Sequence, residues 1–398
     1  MSLLDTDRRT FLHIEVNSAY LSWEAVYRLR QGEKVDLREI PSAIGGDELS
    51  RHGVVLARST SAKKQGVITG ESLVFARKKC PGLTTVPARH EIYQQYSDDF
   101  VRLLGDYSPI TEKFSIDECF LDYTNMEMHF GPPVEAAHLI KERIKEELGF
   151  TVNIGISTNK LLAKMAGELK KPDLVHTLYP DEIQKKIWHL PIRELYMVGR
   201  VTEERLKAEG IMTIGQLACT NPKMIKQILG KRGDVIWNYA NWIEKYPVQQ
   251  SAGTKAKGIS NATTVAVDIT DKQTAYKILL SLVENVSTRL RESSFRAQVI
   301  SVSLRSSDFH DYSRQTKLNI ETNSTSQIYK IACQLFDQAW KGEPLRQLGV
   351  SATELFSGDQ VQLMLGDEGV KKQEQLDQVI DRIRDKFGEG AIKRITLL

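Results

Sequence analysis

The sequence predicts an α+β protein of several domains, because two βαββαβ segments flank a helical region in a chain of 398 residues. A chain of this length exceeds what one hydrophobic core usually holds. Hydrophobic residues make up 41% and charged residues 26% of the chain, which is typical of a globular protein and excludes a disordered or fibrous one. The formal net charge of +3 permits a nucleic-acid partner without requiring one.

The cysteines, the N-terminal segment and the apolar runs indicate in which compartment the protein is expected. The 4 cysteines lie far apart and include no CxxC pair, so neither a structural zinc site nor a disulfide framework is expected. The segment 1–9 is polar, and no apolar run has the length of a membrane span. We therefore expect a cytoplasmic protein with no membrane contact.

The first βαββαβ unit is assigned from apolar periodicity. A strand at 10–16 runs into a helix from Tyr20, and a small mixed segment follows between 42 and 79. The rest of the unit is predicted as a helix at 91–107, strands at 110–115 and 119–123, a helix at 133–148, a strand at 151–156 and a helix at 159–170. Together these elements give a ferredoxin-like order.

The helical region and the second unit follow. Short helices are predicted between 190 and 217, and one helix is predicted over 224–246. The polar segment 249–258 has the composition of a linker. Beyond it the predicted order is strand 263–267, helix 272–290, strand 297–305, strand 313–319, helix 326–340 and strand 345–355, with a charged helix at 371–386 and a short strand at 391–398.

Three carboxylates stand at the ends of predicted apolar strands. Glu15 lies near the end of the first strand, and Asp117 and Glu118 join the two strands of the hairpin. Clustered carboxylates in a dry part of a fold need a metal or an altered pKa, because an unpaired buried charge is costly. Hard oxygen ligands of this kind suit Mg²⁺. The alternative is that Asp117 and Glu118 are turn residues of the hairpin that bind no metal.

Three segments carry a family resemblance. HIEVNSAYLS (13–22), FSIDECFLD (114–122) and NIGISTNKLLAKMA (153–166) resemble, in order, the signature segments of the Y-family (translesion) DNA polymerases, in the group of the bacterial polymerase IV and UV-damage-repair proteins. The resemblance implies a right-hand polymerase. Its parts would be a ferredoxin-like palm (1–18 and 90–178), small fingers (19–89), a helical thumb with a helix-hairpin-helix (179–248), the linker (249–258), a βαββαβ little finger (259–356) and a C-terminal tail (357–398).

The resemblance implies a DNA-directed DNA polymerase that is template-directed, of low fidelity and without a proofreading exonuclease. Two Mg²⁺ ions would be held by Glu15, Asp117, Glu118 and the carbonyl of Val16. The family has aspartate where this chain has Glu15, and the extra methylene shifts the carboxylate by about 1 Å, which predicts weakened catalysis.

The resemblance also assigns the nucleotide-binding positions. Tyr20 occupies the steric-gate position, whose ring leaves no room for a ribose 2′-hydroxyl. The deoxynucleoside triphosphate would contact Ala19, Thr60, Lys63 and Lys171, where Thr60 and Lys63 replace the tyrosine and arginine of the family. Gly53 and Val54 match the small residues that roof the nascent base pair.

Primer-template DNA is the expected partner of a monomer in the bacterial nucleoid. The thumb would hold backbone phosphates at Val198, Gly199 and Arg200. Five further basic residues, predicted to line the linker and one face of the little-finger sheet, are Lys255, Lys257, Arg296, Arg305 and Arg314. The segment with Gln362, Leu363 and Leu365 resembles the peptide that docks on the sliding clamp, but Gly366 replaces its aromatic anchor, so any clamp binding is expected to be weak.

Two other functions remain open at this point. A DNA-binding accessory protein with a weakened polymerase centre would explain Glu15, Thr60 and Gly366. It would leave four retained residues without a role, namely Asp117, Glu118, Tyr20 and Lys171. A palm-type nucleotidyl cyclase would share the carboxylates, but would not need the helical region or the second βαββαβ unit. Template-dependent extension of a primer would indicate a polymerase, DNA binding without extension would indicate the accessory protein, and cyclic-nucleotide production without a template would indicate the cyclase.

Overall fold

The computed structural model describes residues 9–46, 53–244, 247–248, 256–357, 368–388 and 391–392. They divide into two compact units. The first is formed by residues 9–46, 54–244 and 247–248, and the second by Gly53 and the described residues from 256 onward. Within these residues, no helix is both long and apolar enough to cross a membrane.

The first unit contains eight strands, twelve α-helices and two short 3-10 helices (Pro180–Glu182 and Ile192–Glu194) among its described residues. The strands are β1 (Phe11–Val16), β2 (Ser42–Gly45), β3 (Val55–Arg58), β4 (Thr84–Pro87), β5 (Thr111–Lys113), β6 (Glu118–Asp122), β7 (Val152–Ser157) and β8 (Val175–Thr177). The helices are α1 (Ala19–Arg30), α2 (Thr60–Lys64), α3 (Leu73–Lys79), α4 (His90–Gly105), α5 (Glu127–Phe130), α6 (Pro133–Leu148), α7 (Lys160–Glu168), α8 (Ile183–Lys186), α9 (Arg200–Ala208), α10 (Ile214–Cys219), α11 (Pro222–Leu229) and α12 (Lys231–Ala240).

The central sheet has the strand order β5-β6-β1-β7-β8. Strand β1 is antiparallel to both of its neighbours, and their register places Glu15 opposite Glu118 on one side and Asn153 on the other. Because side chains alternate along a strand, Leu12, Ile14 and Val16 enter the core formed with α1, α4 and α6. His13 and Glu15 therefore lie on the opposite face, which α7 covers.

Gly155 lets α7 lie directly on this sheet. It pairs with His13 in the register of β1 and β7. A Cβ atom at this position would lie 2.0 Å from the carbonyl oxygen of Ala163 and 2.4 Å from the amide nitrogen of Gly167. No side chain fits at that distance, so glycine is required where the strand and the helix meet.

The remainder of the first unit holds a smaller sheet and a group of helices. The smaller sheet has the order β3-β2-β4, and α2 and α3 pack on it around Ala43, Val55 and Leu73. The prediction of one helix over 224–246 is wrong, because α11 ends at Leu229 and α12 begins at Lys231. Gly230 separates them with a φ of +65°, a conformation that glycine adopts without steric cost.

The second unit confirms the predicted βαββαβ order. Its elements are β9 (Gly258–Ile269), α13 (Lys272–Glu292), β10 (Phe295–Ser306), β11 (Asp311–Thr322), α14 (Thr325–Ala339), β12 (Leu345–Ser357) and α15 (Glu368–Phe387). The antiparallel sheet has the order β11-β10-β12-β9, and α13 and α14 bury its inner face around residues such as Val283, Ile300 and Phe336. The strand predicted at 391–398 lies almost entirely outside the described residues.

Candidate active site

His13, Glu15 and Glu118 form a cluster on the face of the central sheet that α7 covers. One potential ligand atom from each residue lies within 4.8 Å of the others. Glu15 and Glu118 come together because their strands place them opposite each other. Glu118 is the first residue of β6, so only Asp117 remains in the predicted turn.

Glu118 is held by two donors. Its carboxylate accepts a hydrogen bond from His13 Nε2 at 2.9 Å and another from Lys164 Nζ. Burial alone would raise the pKa of Glu118, but the hydrogen bonds and charges of His13 and Lys164 together outweigh burial and lower the pKa to about 2. Burial also lowers the pKa of His13 below its usual value. A neutral His13 that donates from Nε2 therefore orients an ionised Glu118.

Glu15 is paired with a lysine instead. Lys171 Nζ lies 2.7 Å from Glu15 Oε1 and 2.9 Å from Glu168 Oε1. Burial is the main reason that the pKa of Glu15 rises to about 7, although Lys171 opposes this rise. Two carboxylates thus share a single ammonium group.

Asp117 faces a cleft of about 570 Å³ together with Glu15. Its carboxylate accepts a hydrogen bond from Ser115 Oγ at 2.6 Å, and its carbonyl accepts one from the amide of Val16 at 3.0 Å. The cleft is lined by residues 15–20, 56–60, 63, 69, 116–117 and 171–172. Seven of the residues predicted from sequence to bind metal or nucleotide share this lining with Glu15, namely Val16, Ala19, Tyr20, Thr60, Lys63, Asp117 and Lys171.

Tyr20 projects from the first turn of α1 into the same cleft. The helix begins after Ser18, whose φ of +49° turns the chain sharply at the end of β1. The Tyr20 ring stacks on Tyr93, with centroids 4.9 Å apart and an interplanar angle of 26°. A ring fixed in this way forms a rigid wall of the cleft.

Two cations enter the cleft from the β3–α2 segment. Lys63 lies on α2, whose N-terminus is capped by the hydroxyl of Ser59, and Arg58 is the last residue of β3. Val54 is not part of the lining and forms a bridge with Ser72. Gly53 adjoins the undescribed segment 47–52.

The residues predicted to contact DNA belong to both units. Val198 is buried, and Gly199 precedes α9, in which Arg200 is exposed and lies 3.4 Å from Glu204. Among the described residues of the second unit, Lys257 and Arg314 are exposed, Arg305 is paired with Asp311 at 2.6 Å, and Arg296 Nε donates to the carbonyl of Glu321 at 3.4 Å.

The prediction that the three sheet arginines share one face is wrong. Arg314 lies opposite Val302, whose side chain faces the core, whereas Arg305 lies opposite Asp311 three positions away along β10. Arg305 is also an odd number of positions from Arg296 on the same strand. Side chains directly opposite each other share a face, and an odd separation along a strand reverses it. Lys255, Gln362, Leu363 and Leu365 lie outside the described residues.

Family models match three parts of the chain. The impB/mucB/samB family matches residues 14–168, its C-terminal domain matches 256–365, and the helix-hairpin-helix motif of the same family matches 180–211. These matches cover more than half of the chain, in the order of the predicted palm, thumb and little finger.

The chain belongs to the impB/mucB/samB family of Y-family DNA polymerases.

Curated relatives and a solved structure agree with this assignment. The chain is 48% identical to a DNA polymerase IV of Clostridium acetobutylicum, and the match covers 98% of both chains. It is 35% identical to a DNA polymerase IV of Acetivibrio thermocellus, again over 98% of both chains. A Y-family DNA polymerase chimera of Dbh and Dpo4 superposes with a TM-score of 0.77 at 24% identity, covering 87% of this chain and 99% of the chimera. The predicted family, right-hand polymerase fold and DNA polymerase activity are confirmed, and the accessory-protein alternative is not favoured.

The Y-family fold implies dependence on a divalent metal, and the donor set fits such an ion. Glu15 and Asp117 offer carboxylate oxygens to one cleft, and Glu118 adjoins Glu15. Oxygen donors are the ligands that hard divalent cations prefer. Lys164 and Lys171 now neutralise two of these carboxylates, as a bound cation would.

Sequence reasoning missed four residues of this region: His13, Arg58, Lys164 and Glu168. His13 could have been found from the alternation of β1, because it lies two residues before Glu15 and so shares its face. Lys164 and Glu168 are four residues apart on α7, a spacing that places both on one side of the helix. Which side faces the carboxylates depends on how α7 packs, and the sequence does not contain that information directly.

Proposed function

We propose that this protein extends a primer strand on damaged as well as intact DNA templates, with low fidelity and without proofreading. The observation that carries the proposal is the single cleft that joins the carboxylates Glu15 and Asp117, the ring of Tyr20 and the cations Lys63 and Lys171. Carboxylates hold metal ions, a rigid aromatic ring excludes a sugar with a 2′-hydroxyl, and cations bind a triphosphate. Template-directed nucleotidyl transfer needs all three.

We assign two Mg²⁺ ions to Glu15, Asp117, Glu118 and the carbonyl of Val16. When bound, such ions activate the primer 3′-hydroxyl and stabilise the leaving pyrophosphate. His13 and Lys164 are positioning residues in this scheme, because both hydrogen-bond Glu118 and fix its carboxylate.

The deoxynucleoside triphosphate would lie between Tyr20 and the cations. Tyr20, stacked on Tyr93, excludes a 2′-hydroxyl, while Thr60 and Lys63 contact phosphate oxygens together with the Ala19 amide. Lys171 joins them when it is released from Glu15. Gly53 and Val54 would contact the nascent base pair.

The remaining predictions concern partners and boundaries. Primer-template DNA would be gripped through phosphates by the turn at Val198–Arg200 and by basic residues of the second unit, including Lys257 and Arg305, so its affinity should fall steeply with salt. We retain the predicted domain boundaries, a monomeric state, action at the nucleoid and weak docking on the sliding clamp.

The test is extension of a primed template with four deoxynucleoside triphosphates and Mg²⁺. Asp117→Asn combined with Glu118→Gln should abolish the product, because the metal ligands are lost. Glu135→Gln, which removes an exposed carboxylate on α6, serves as the matched control and should extend normally. Extension that persists in the double variant would contradict the proposed site. DNA binding without extension by the unsubstituted protein would support the accessory-protein alternative.

A further inference from the structure

Arg58 is a cation of the cleft that none of the predicted roles includes. It ends β3, lies opposite Ala43 in the register with β2, and lines the cleft beside Thr60 and Lys63. Its Nη1 atom is buried and has no hydrogen-bond partner. Among the described residues, no carboxylate forms an ion pair with its guanidinium, whereas Lys171 in the same cleft contacts two.

Glu71 is a carboxylate that interacts electrostatically with Arg58, but its oxygens are already hydrogen-bonded. Its carboxylate accepts hydrogen bonds from Lys79 Nζ and from the amide of Ile68, both at 2.6 Å. The hydrogen bond from Lys79 is the main cause that holds the pKa of Glu71 below its usual value, and the charge of Arg58 adds a small effect. Glu71 is therefore not the acceptor that the Arg58 guanidinium lacks.

A partly buried guanidinium whose Nη1 atom lacks an acceptor among the described residues is unfavourable in the free protein, because the lost hydration of that atom is not replaced. Such a group calls for a ligand or another specific explanation. An anion in the cleft would supply the missing acceptor. The guanidinium is planar and donates two parallel hydrogen bonds to phosphate oxygens, a geometry that the ammonium group of Lys63 lacks.

We propose that Arg58 binds the triphosphate of the incoming nucleotide and supplies the bidentate donor that Lys63 does not provide. This inference rests on the proposed function, because it requires a nucleotide in the cleft. It assigns a further nucleotide-binding residue to the strand that precedes the Thr60 and Lys63 segment. The neighbouring hydroxyls of Thr60 and Thr69 lie in the same lining and complete a polar site.

The test measures the affinity for each of the four deoxynucleoside triphosphates opposite its complementary template base in single-turnover extension. Arg58→Ala should raise the dissociation constant by about tenfold or more for all four nucleotides, as expected when charge-assisted hydrogen bonds are lost. Arg58→Lys keeps the charge but loses the fork, and should restore only part of the affinity. Lys64→Ala removes a neighbouring exposed charge of α2 that does not line the cleft, and should leave the affinity unchanged.

The outcomes separate this inference from the proposed function. Absence of extension by the unsubstituted protein would count against the proposed function itself. Normal extension together with unchanged affinity in Arg58→Ala would overturn the role of Arg58 alone. A loss confined to one or two bases would also overturn it, since that pattern indicates contact with a base edge. If Arg58→Ala is unfolded in a thermal melt, the Arg58→Lys variant provides the test. A nucleotide affinity of Arg58→Lys equal to that of the unsubstituted protein would show that Arg58 does not act as a bidentate donor.

Discussion

Lys171 Nζ lies 2.7 Å from Glu15 Oε1, so a lysine predicted to bind the triphosphate neutralises a carboxylate predicted to bind metal. The same ammonium is 2.9 Å from Glu168 Oε1. A metal ion at Glu15 would take over the role of counter-ion and leave Lys171 free for phosphate.

Glu15→Asp is expected to increase the single-turnover rate of extension. The shorter side chain moves the carboxylate by about 1 Å toward the geometry expected for the family, and a displacement of that size can change a rate on the order of a hundredfold. Glu168→Asp alters the other partner of Lys171 and should leave the rate close to that of the unsubstituted protein. An unchanged or lower rate in Glu15→Asp would show that the site is adapted to glutamate.

His13→Leu is expected to weaken metal binding. The imidazole orients Glu118 through a 2.9 Å hydrogen bond, and loss of such a supporting contact typically costs about 10- to 100-fold in metal affinity or activity. Calorimetric titration with Mg²⁺ and the Mg²⁺ dependence of extension would both measure the change. His13→Gln retains a donor and should lose less. Equal Mg²⁺ affinity in the unsubstituted protein, His13→Leu and His13→Gln would show that His13 does not support metal binding.

Tyr20→Ala is expected to raise ribonucleotide incorporation, because it removes the ring that stacks on Tyr93 and closes the cleft against a 2′-hydroxyl. The measurement is the ratio of catalytic efficiencies for a deoxynucleotide and the matching ribonucleotide. Tyr20→Phe keeps the ring and should keep the selectivity. The steric-gate role would be rejected by an unaltered ratio in the alanine variant.

Gly155→Ala is expected to destabilise the first unit by about 3 kcal/mol or more, because over-packing against backbone atoms forces α7 away from the sheet. The added methyl group would lie 2.0 Å from the Ala163 carbonyl oxygen. Urea unfolding measures the change in the free energy of unfolding. Gly105→Ala, where nothing lies within 4 Å of the new atom, should be neutral or slightly stabilising. Similar stabilities of the two variants would contradict this close packing.

Arg291→Ala is expected to detach α15 from the second unit. The largely buried Arg291 binds Asp381 at 2.5 Å and lies 3.8 Å from Asp377, and loss of one partner from a buried charge cluster costs about 3 kcal/mol. Trp340, the one tryptophan in residues 256–398, reports unfolding of this unit by fluorescence. Arg382→Ala removes an exposed charge from the same helix as a control. A melting temperature unchanged in Arg291→Ala would show that the cluster contributes little.

The order of the elements and most of the cleft were predictable from the sequence. Alternating and helical periodicities located β1, α6 and the βαββαβ unit of the second half, because the burial of one face leaves a regular apolar pattern. Glu15 and Asp117 were singled out by their places at the ends of predicted strands, whereas the role of Lys171 came from the family resemblance. The break at Gly230 was missed, since a single glycine does not by itself end a helical pattern.

What the sequence alone determined was the family, the set of candidate residues and the fold class. The tertiary structure determined which charged side chains contact each other. Glu118 lies with His13 and Lys164, Glu15 lies with Lys171, and Arg58 enters the cleft without a carboxylate partner among the described residues. The first two contacts join residues from β1, β6, α7 and the segment after α7 that lie far apart in the chain, and they depend on strand register and on how closely α7 approaches Gly155. Local patterns fix neither quantity, because both follow from packing across the whole sheet.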